Sequence, residues 1–213
     1  MSDFNYTETE EKIFQAALKI FARDGKKGTT MQEIANEAGI NKALVHYYFR
    51  TKDKLYDQVF RYILGKYFTS LGESIIHETE FIPMLRAFIS KYIDMVMLNP
   101  NLPKFMVKEL SEGAVALRGK LIDFIKEGEL SAPQILLQKF NESKSKNEIR
   151  DVDPIQLINT IIGACVIISL NIPIVTIIDP AINKNLPEFI EARKRHVFDI
   201  ILNGIKFRPE DSE

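Results

Sequence analysis

The stretch TTMQEIANEAGINKALVHYYFRTKDKL, Thr29 to Leu55, decides the fold of this chain. Thr30-Met31-Gln32-Glu33 fits a capping box, in which a Thr hydroxyl and a Glu carboxylate each satisfy a backbone N–H at a helix start. Met31, Ile34, Ala35 and Ala38 then recur at helical spacing. Gly39 ends that helix, because glycine takes the left-handed conformation at little cost. Ile40 plugs the corner and Asn41 caps the next helix. Two short helices joined in this way form a unit that can lay its second helix in a DNA groove.

That second helix, Lys42 to Phe49, divides into two faces. Val45 and Phe49 are four apart and point into a small core, whereas Lys42, Ala43, His46 and Tyr47 share the outer face. A lysine can donate to guanine or to phosphate, and Tyr and Thr hydroxyls bind phosphate oxygens. Leu44 is placed to touch a thymine methyl or to pack. Thr51 caps a third helix, and Lys52 and Lys54 add positive charge beside it. Taken alone, the pattern fits an ordinary helical corner as well, with Tyr47 and Tyr48 as core aromatics.

The residues resemble the TetR family of transcriptional regulators. The resemblance is carried by Thr30, Ile34, Ala35, Ala38, Gly39, Ile40, Asn41, Lys42, Val45, Tyr47, Tyr48, Phe49, Thr51, Lys52 and Leu55, and upstream by Ile13, Ala16, Ala17, Leu18, Phe21 and Gly25. It covers about the first quarter of the chain. Ala43 and His46 depart from it, standing where the family commonly has glycine and tyrosine. The resemblance implies DNA contacts at Thr30, Lys42, Tyr47, Tyr48 and Lys52, with Thr30 and Lys52 on phosphates and Lys42 and Ala43 nearest the base edges. His46 and Leu44 join this set by position.

Length and composition agree. A chain of 213 residues exceeds a lone DNA-binding module and can hold a second helical domain. The formal net charge of -1 excludes a broadly basic coat, but Arg23, Lys26, Lys27, Lys42, Arg50, Lys52 and Lys54 outnumber the acids around the motif. Cys165 is the single cysteine, so no intrachain disulfide can form, and its apolar surroundings point to a buried structural thiol. The first twelve residues have neither a basic nor an apolar signal region, and a cytoplasmic protein is expected.

The fold expected is all-α: an N-terminal three-helix helix-turn-helix domain over residues 1–51, then a helical ligand-binding and dimerisation domain over 52–213. Residues 52–71 form a connecting helix. Further helices are expected over 7–23, 81–98, 102–112, 114–126, 133–140, 154–170 and 187–207, with loops over 141–153 and 179–186. The run IIGACVIISLNIPIVTII, Ile161 to Ile178, approaches the length of a membrane span. Asn171 and Pro173 interrupt it and no basic flank anchors it, so a buried helix and no membrane are expected.

The late helices of the family make a dimer interface, and the resemblance implies the same here. The apolar stripes place Ile158, Ile161, Ile162, Cys165, Ile168, Phe189, Arg193, Val197 and Ile201 in it. Tyr62, Phe68, Met84, Phe88, Tyr92, Met95, Met106 and Phe124 are aromatic or thioether residues at helical spacing. They can line an effector cavity or simply form core. His196 offers a polar handle, and Glu109 and Glu112 look like exposed charge. The expected partners are a near-palindromic operator in double-stranded DNA, a second copy of the chain and a small apolar or amphipathic effector that releases a repressor. No cofactor is expected.

Enzymatic motifs are missing: there is no phosphate-binding or dinucleotide-binding glycine loop, no H-E-x-x-H pair and no G-x-S-x-G elbow. His77, with Glu73 and Glu80, lacks the second histidine a metal site would want. The alternatives to a repressor are an activator of the same fold, or a helical small-molecule carrier without a DNA role.

Overall fold

Apolar residues recur every three or four positions along almost the whole chain, and the computed structural model is correspondingly helical. It describes residues 6–126 and 132–207. The helices are α1 (Glu8–Gly28), α2 (Met31–Ala38), α3 (Lys42–Phe49), α4 (Lys52–Ile63), α5 (Thr69–Ile76), α6 (Phe81–Leu98), α7 (Asn101–Ser111), α8 (Val115–Lys126), α9 (Ala132–Ser145), α10 (Pro154–Ile178) and α11 (Leu186–Ile205). Among the described residues no strand forms, and one isolated bridge joins Ile149 to Lys206.

The chain divides into two compact units, and the division does not fall between residues 51 and 52. One unit is residues 1–70 with 99–130, and the other is 71–98 with 131–213. The first therefore keeps α4, α7 and α8 with the helix-turn-helix.

In the first unit α1 packs against α2, α4 and α7. Thr7 and Glu10 form a capping box at its start. Ile13, Phe14, Ala17 and Phe21 are buried along its inner face. Phe14 stacks on Tyr62 of α4 at 4.9 Å and meets Phe49 of α3 at 5.3 Å. Such aromatic pairs contribute about 1 kcal/mol each beyond their burial. Helix α1 runs beyond Arg23, but it kinks at Gly25, whose φ of 71° suits glycine. A Cβ there would stand 2.7 Å from Lys108 Cε on α7, so Gly25 also permits close approach.

The connecting helix is not uniform. Between α4 and α5 residues Leu64–Phe68 form a π-helical turn. The helical run then reaches Ile76, beyond the expected end at 71.

In the second unit α6 packs against α9, α10 and α11. Met84, Ile89, Ile93 and Val96 of α6 are buried, as are Ile161, Cys165 and Ile168 of α10 and Val197, Phe198 and Ile201 of α11. The Arg86 guanidinium lies 3.8 Å from the Phe198 ring centroid, and Lys194 pairs with Asp94 at 2.6 Å. Three expectations are corrected here. Helix α9 extends through Ser145, into the polar stretch expected to be loop, and Ile149 beyond it is buried. Helix α10 continues past Leu170 and through Pro173 to Ile178. Residues Pro180–Lys184, expected as loop, form a 3₁₀ turn.

Candidate nucleic-acid interface

Helix α2 begins and ends as its residues dictate. The Glu33 N–H donates to Thr30 Oγ1 at 3.2 Å, and the Thr30 N–H and hydroxyl donate to the Glu33 carboxylate at 2.8 and 2.7 Å. These hydrogen bonds hold the Glu33 carboxyl below its ordinary value. Gly39 closes the helix at φ 68° and ψ 30°, and the Ile40 N–H reaches back to the Ala35 carbonyl at 3.0 Å. Asn41 Oδ1 accepts from the Leu44 N–H at 2.8 Å, which starts α3.

Burial then sorts the faces of α3. Val45 and Phe49 are buried, and Phe49 meets Phe14 of α1. Lys42 and Ala43 are exposed, Leu44, His46 and Tyr48 are partly exposed, and Tyr47 is 70 % exposed. A phenol so exposed contributes almost no burial energy, so packing does not explain it. Its ring meets Tyr48 edge-on at 5.5 Å, and Tyr48 in turn leans on Phe49. The partly exposed Tyr48 thus braces Tyr47 from the core side.

Two expected phosphate contacts are engaged inside the protein. Both donors of Thr30 go to Glu33, so any anion at the start of α2 meets the first-turn amides before the hydroxyl. Lys52, partly exposed, donates from Nζ to the Thr29 carbonyl at 2.8 Å. His46 places Nδ1 3.1 Å from the Arg50 carbonyl, so the tautomer with hydrogen on Nδ1 donates there. Arg50 sits at φ 60° and ψ -54°, an uncommon conformation for a residue with a Cβ, at the turn between α3 and α4.

The residues expected to line an effector cavity fall in two groups. Tyr62 and the half-buried Met106 belong to the first unit. Tyr62 is fully buried, and its hydroxyl accepts from Gln15 at 2.7 Å and from Lys66 at 2.9 Å. Met84, Phe88, Tyr92 and Met95 are buried along α6 in the second unit. The side chains of Phe68 and Phe124 lie outside the described residues. Burial pushes the Tyr92 phenol up to about 12, which keeps it neutral. Burial also raises the Cys165 thiol to about 12, which makes it a poor nucleophile.

The expected interface residues also separate. Ile161, Cys165, Ile168, Val197 and Ile201 are withdrawn into the core of the second unit, against α6. Ile158, Ile162, Phe189 and Arg193 remain partly exposed. Arg193 donates to the Ala164 carbonyl at 2.7 Å. The exposed large apolar set on these two helices is Ile155, Ile167, Ile174, Ile177 and Ile178 on α10 and Ile200 on α11. Helical periodicity alone could not find it, because α10 is apolar on every side. Three further placements differ from expectation or refine it. Glu109 is buried, not exposed, and Glu112 and His196 are exposed. Among the described residues no group of three metal-ligating side chains occurs.

Comparison with known proteins places this geometry. The family described as "Bacterial regulatory proteins, tetR family" matches residues 13–59, the span from α1 to α4. The fatty acid metabolism regulator protein of Bacillus subtilis (strain 168) is 24% identical over 115 residues, covering 54% of this chain and 59% of that protein. The transcriptional regulator RutR of Escherichia coli (strain K12) is 29% identical over 119 residues, covering 55% of each. The chain thus spans somewhat over half the length of these curated relatives. Among solved structures, the transcriptional regulator FadR from Bacillus subtilis in complex with stearoyl-CoA aligns over 92% of this chain and 98% of its own. Its TM-score is 0.65 at 21% identity, which is a likeness of fold.

Proposed function

We propose that this chain, whose residues 13–59 match the family described as bacterial regulatory proteins of the tetR type, is a dimeric, sequence-specific DNA-binding repressor released by a small apolar or amphipathic effector. One observation carries the reading. Helix α3 is pinned by Val45 and Phe49 while Lys42, Ala43 and Tyr47 stand outward. A cation, a small residue and a phenol on an exposed eight-residue helix suit a major groove: the lysine reaches base edges, the small side chain allows close approach, and the phenol holds a phosphate.

One recognition helix reads too few bases for an operator, so two copies must act together. Ile167, Ile174, Ile178 and Ile200 support this, since an outward apolar row is what a second copy would cover. Pro154–Ile178 is, among the described residues, the one helix long and apolar enough to cross a membrane. The Arg193 guanidinium on the Ala164 carbonyl, midway along it, argues for a protein partner instead, because a cation in hydrocarbon is costly.

The effector is proposed to be of the class of the stearoyl-CoA bound by the Bacillus FadR, with a long apolar portion. The aromatic and thioether residues of α6 support an adaptable apolar site. An effector that binds better to a conformer with separated DNA-binding units lowers operator affinity by that difference, about 1–3 kcal/mol for a typical coupling. Selection of bound fragments from the source genome, followed by titration with acyl thioesters, tests both steps. The reading requires enrichment of near-palindromes, and release by the ligand. Unselective recovery of fragments contradicts it.

A further inference from the structure

We propose that Gln15 is the latch of a two-state joint in the helical run from α4 to α5. It holds residues Leu64–Phe68 in the π form, and its release lets them take the α form and re-phases the helix beyond.

The turn is not what the backbone alone selects. The Thr69 N–H donates to the Leu64 carbonyl, five residues back, where an α-helix spans four. Turns of this kind are rare. Something outside the turn therefore favours it.

Two phenols supply the reason. Tyr62 and Tyr67 stand at i and i+5. On an uninterrupted α-helix they would point about 140° apart, because each residue turns the helix by about 100°. The extra residue of the π turn brings them to one side instead, with ring centroids 6.0 Å apart. There the Gln15 amide of α1 donates to both hydroxyls, at 2.7 Å to Tyr62 and 3.2 Å to Tyr67. A side-chain amide has two hydrogens, one for each phenol. Tyr67 donates onward to Asn99 Oδ1 at 2.9 Å, and Lys66 ties the turn to Glu11 of α1 at 3.0 Å. All these groups lie in the first unit.

The latch is reversible. Gln15 is exposed, so water competes for its amide, and each of its bonds favours the π form by a factor of about two to ten. The Lys66–Glu11 pair is half-exposed and adds little. Burial of the Tyr67 ring also favours the closed joint, so the open form is the minor one. Opening moves the Thr69 hydrogen bond from the Leu64 to the Gly65 carbonyl. Relative to α4 it turns α5 by about 100° and shifts it by about 1.5 Å, one residue of helix. Helix α5 carries the chain into the second unit, so an effector that prefers one phase of α5 biases the joint. In a repressor that holds DNA without its effector, DNA favours the closed form. That direction rests on the proposed function, whereas the joint does not.

Relaxation-dispersion NMR on the full chain tests the joint, because helix register shifts fall in the microsecond-to-millisecond range. The amides and carbonyls of residues 64–70 should show a minor state in which Gly65, not Leu64, accepts from Thr69. Gln15→Met keeps the length and removes both donors, and should raise the minor population about tenfold. Tyr67→Phe, which keeps the ring, should raise it several-fold. Deletion of Gly65 leaves Tyr62 and Tyr67 at i and i+4, on one side of a plain α-helix, and should abolish the minor state. Lys12→Gln should behave as the parent. If Gln15→Met and Tyr67→Phe leave the population unchanged, or loosen α1, α4 and α7 alike with nothing particular to residues 64–70, Gln15 is ordinary packing and the proposal is wrong. A second arm adds a selected genomic fragment at saturation, which should lower the minor population of Gln15→Met several-fold. A population that the bound fragment does not move overturns the link to DNA alone. A parent that binds no fragment while Gln15→Met opens the turn upholds the joint and overturns the proposed function.

Discussion

The Lys52 ammonium donates to the Thr29 carbonyl across 2.8 Å, joining the first turn of α4 to the residue before the cap of α2. Thr29 is itself buried, with its hydroxyl donating to the Gly25 carbonyl at 2.7 Å. The end of α1, the start of α2 and the start of α4 therefore meet at one point. A lysine that resembles a phosphate contact is in this structure also a strut that sets the angle of the reading unit.

Lys52→Met tests the strut. It keeps the apolar stem and removes the donor, so the partly buried Thr29 carbonyl loses a charged partner. Urea unfolding should show a loss of about 1–2 kcal/mol. DNA affinity should fall by a similar factor on all fragments. A variant as stable as the parent would make Lys52 a surface phosphate ligand only.

Tyr47→Ala and Lys42→Ala should separate reading from folding. Neither side chain is buried, so melting should move little, within about 0.5 kcal/mol. Fluorescence anisotropy with a selected fragment should show a loss of about tenfold or more for each. Lys42→Ala should relax sequence preference, whereas Tyr47→Ala should weaken binding evenly. A carrier protein of this fold would lose nothing.

Gly39→Ala isolates backbone conformation. No heavy atom stands within 4 Å of the Cβ it would add, and its φ is 68°. The cost is therefore conformational, about 1 kcal/mol, and Gly39→Asn should cost less because Asn tolerates the left-handed region. Equal losses for Ala and Asn would point to a steric cause that the structure does not contain.

Ile174→Glu with Ile200→Glu should yield a folded monomer in light scattering. Ile161→Ala should instead destabilise the second unit by about 2–4 kcal/mol, because it opens a cavity against α6. If the double charge variant remains a dimer, the outward row is not the interface.

Glu109 gives a pH signature with a definite sign. Burial, chiefly, and the Glu112 charge raise its carboxyl above the ordinary value, against a smaller opposing effect of Lys26. A raised folded value means that folding favours the protonated form. Its stabilising contribution is full below the unfolded value of about 4.3 and is lost as pH rises through the folded value. Glu109→Gln should therefore gain stability over the parent at pH 7 and show no gain near pH 4. A loss at pH 7 would mean that the attraction to Lys26 outweighs desolvation.

What could be read before folding was whatever is periodic or capped. Thr30, Gly39 and Asn41 announced their helix ends because capping depends on a few adjacent residues. The inward face of α3 followed from spacing. Long-range facts were not legible. Residues Asn99–Lys126 join the first unit through α7 and α8, which no local pattern states. Helix α10 is apolar on all sides, so its buried and outward rows could not be told apart. Pro173 suggested a break, yet α10 passes through it with Thr176 Oγ1 bonding back to the Ile172 carbonyl at 2.9 Å. Glu109 looked like surface charge because its burial depends on α7 packing against α1.

The most direct measurement is recovery and sequencing of genomic fragments bound by the purified chain, with Tyr47→Ala as control. The account predicts enrichment of a two-fold motif whose half-sites lie about one helical turn, 34–36 Å, apart, and its loss in the variant. Recovery that is unselective, or that the variant matches, would contradict it.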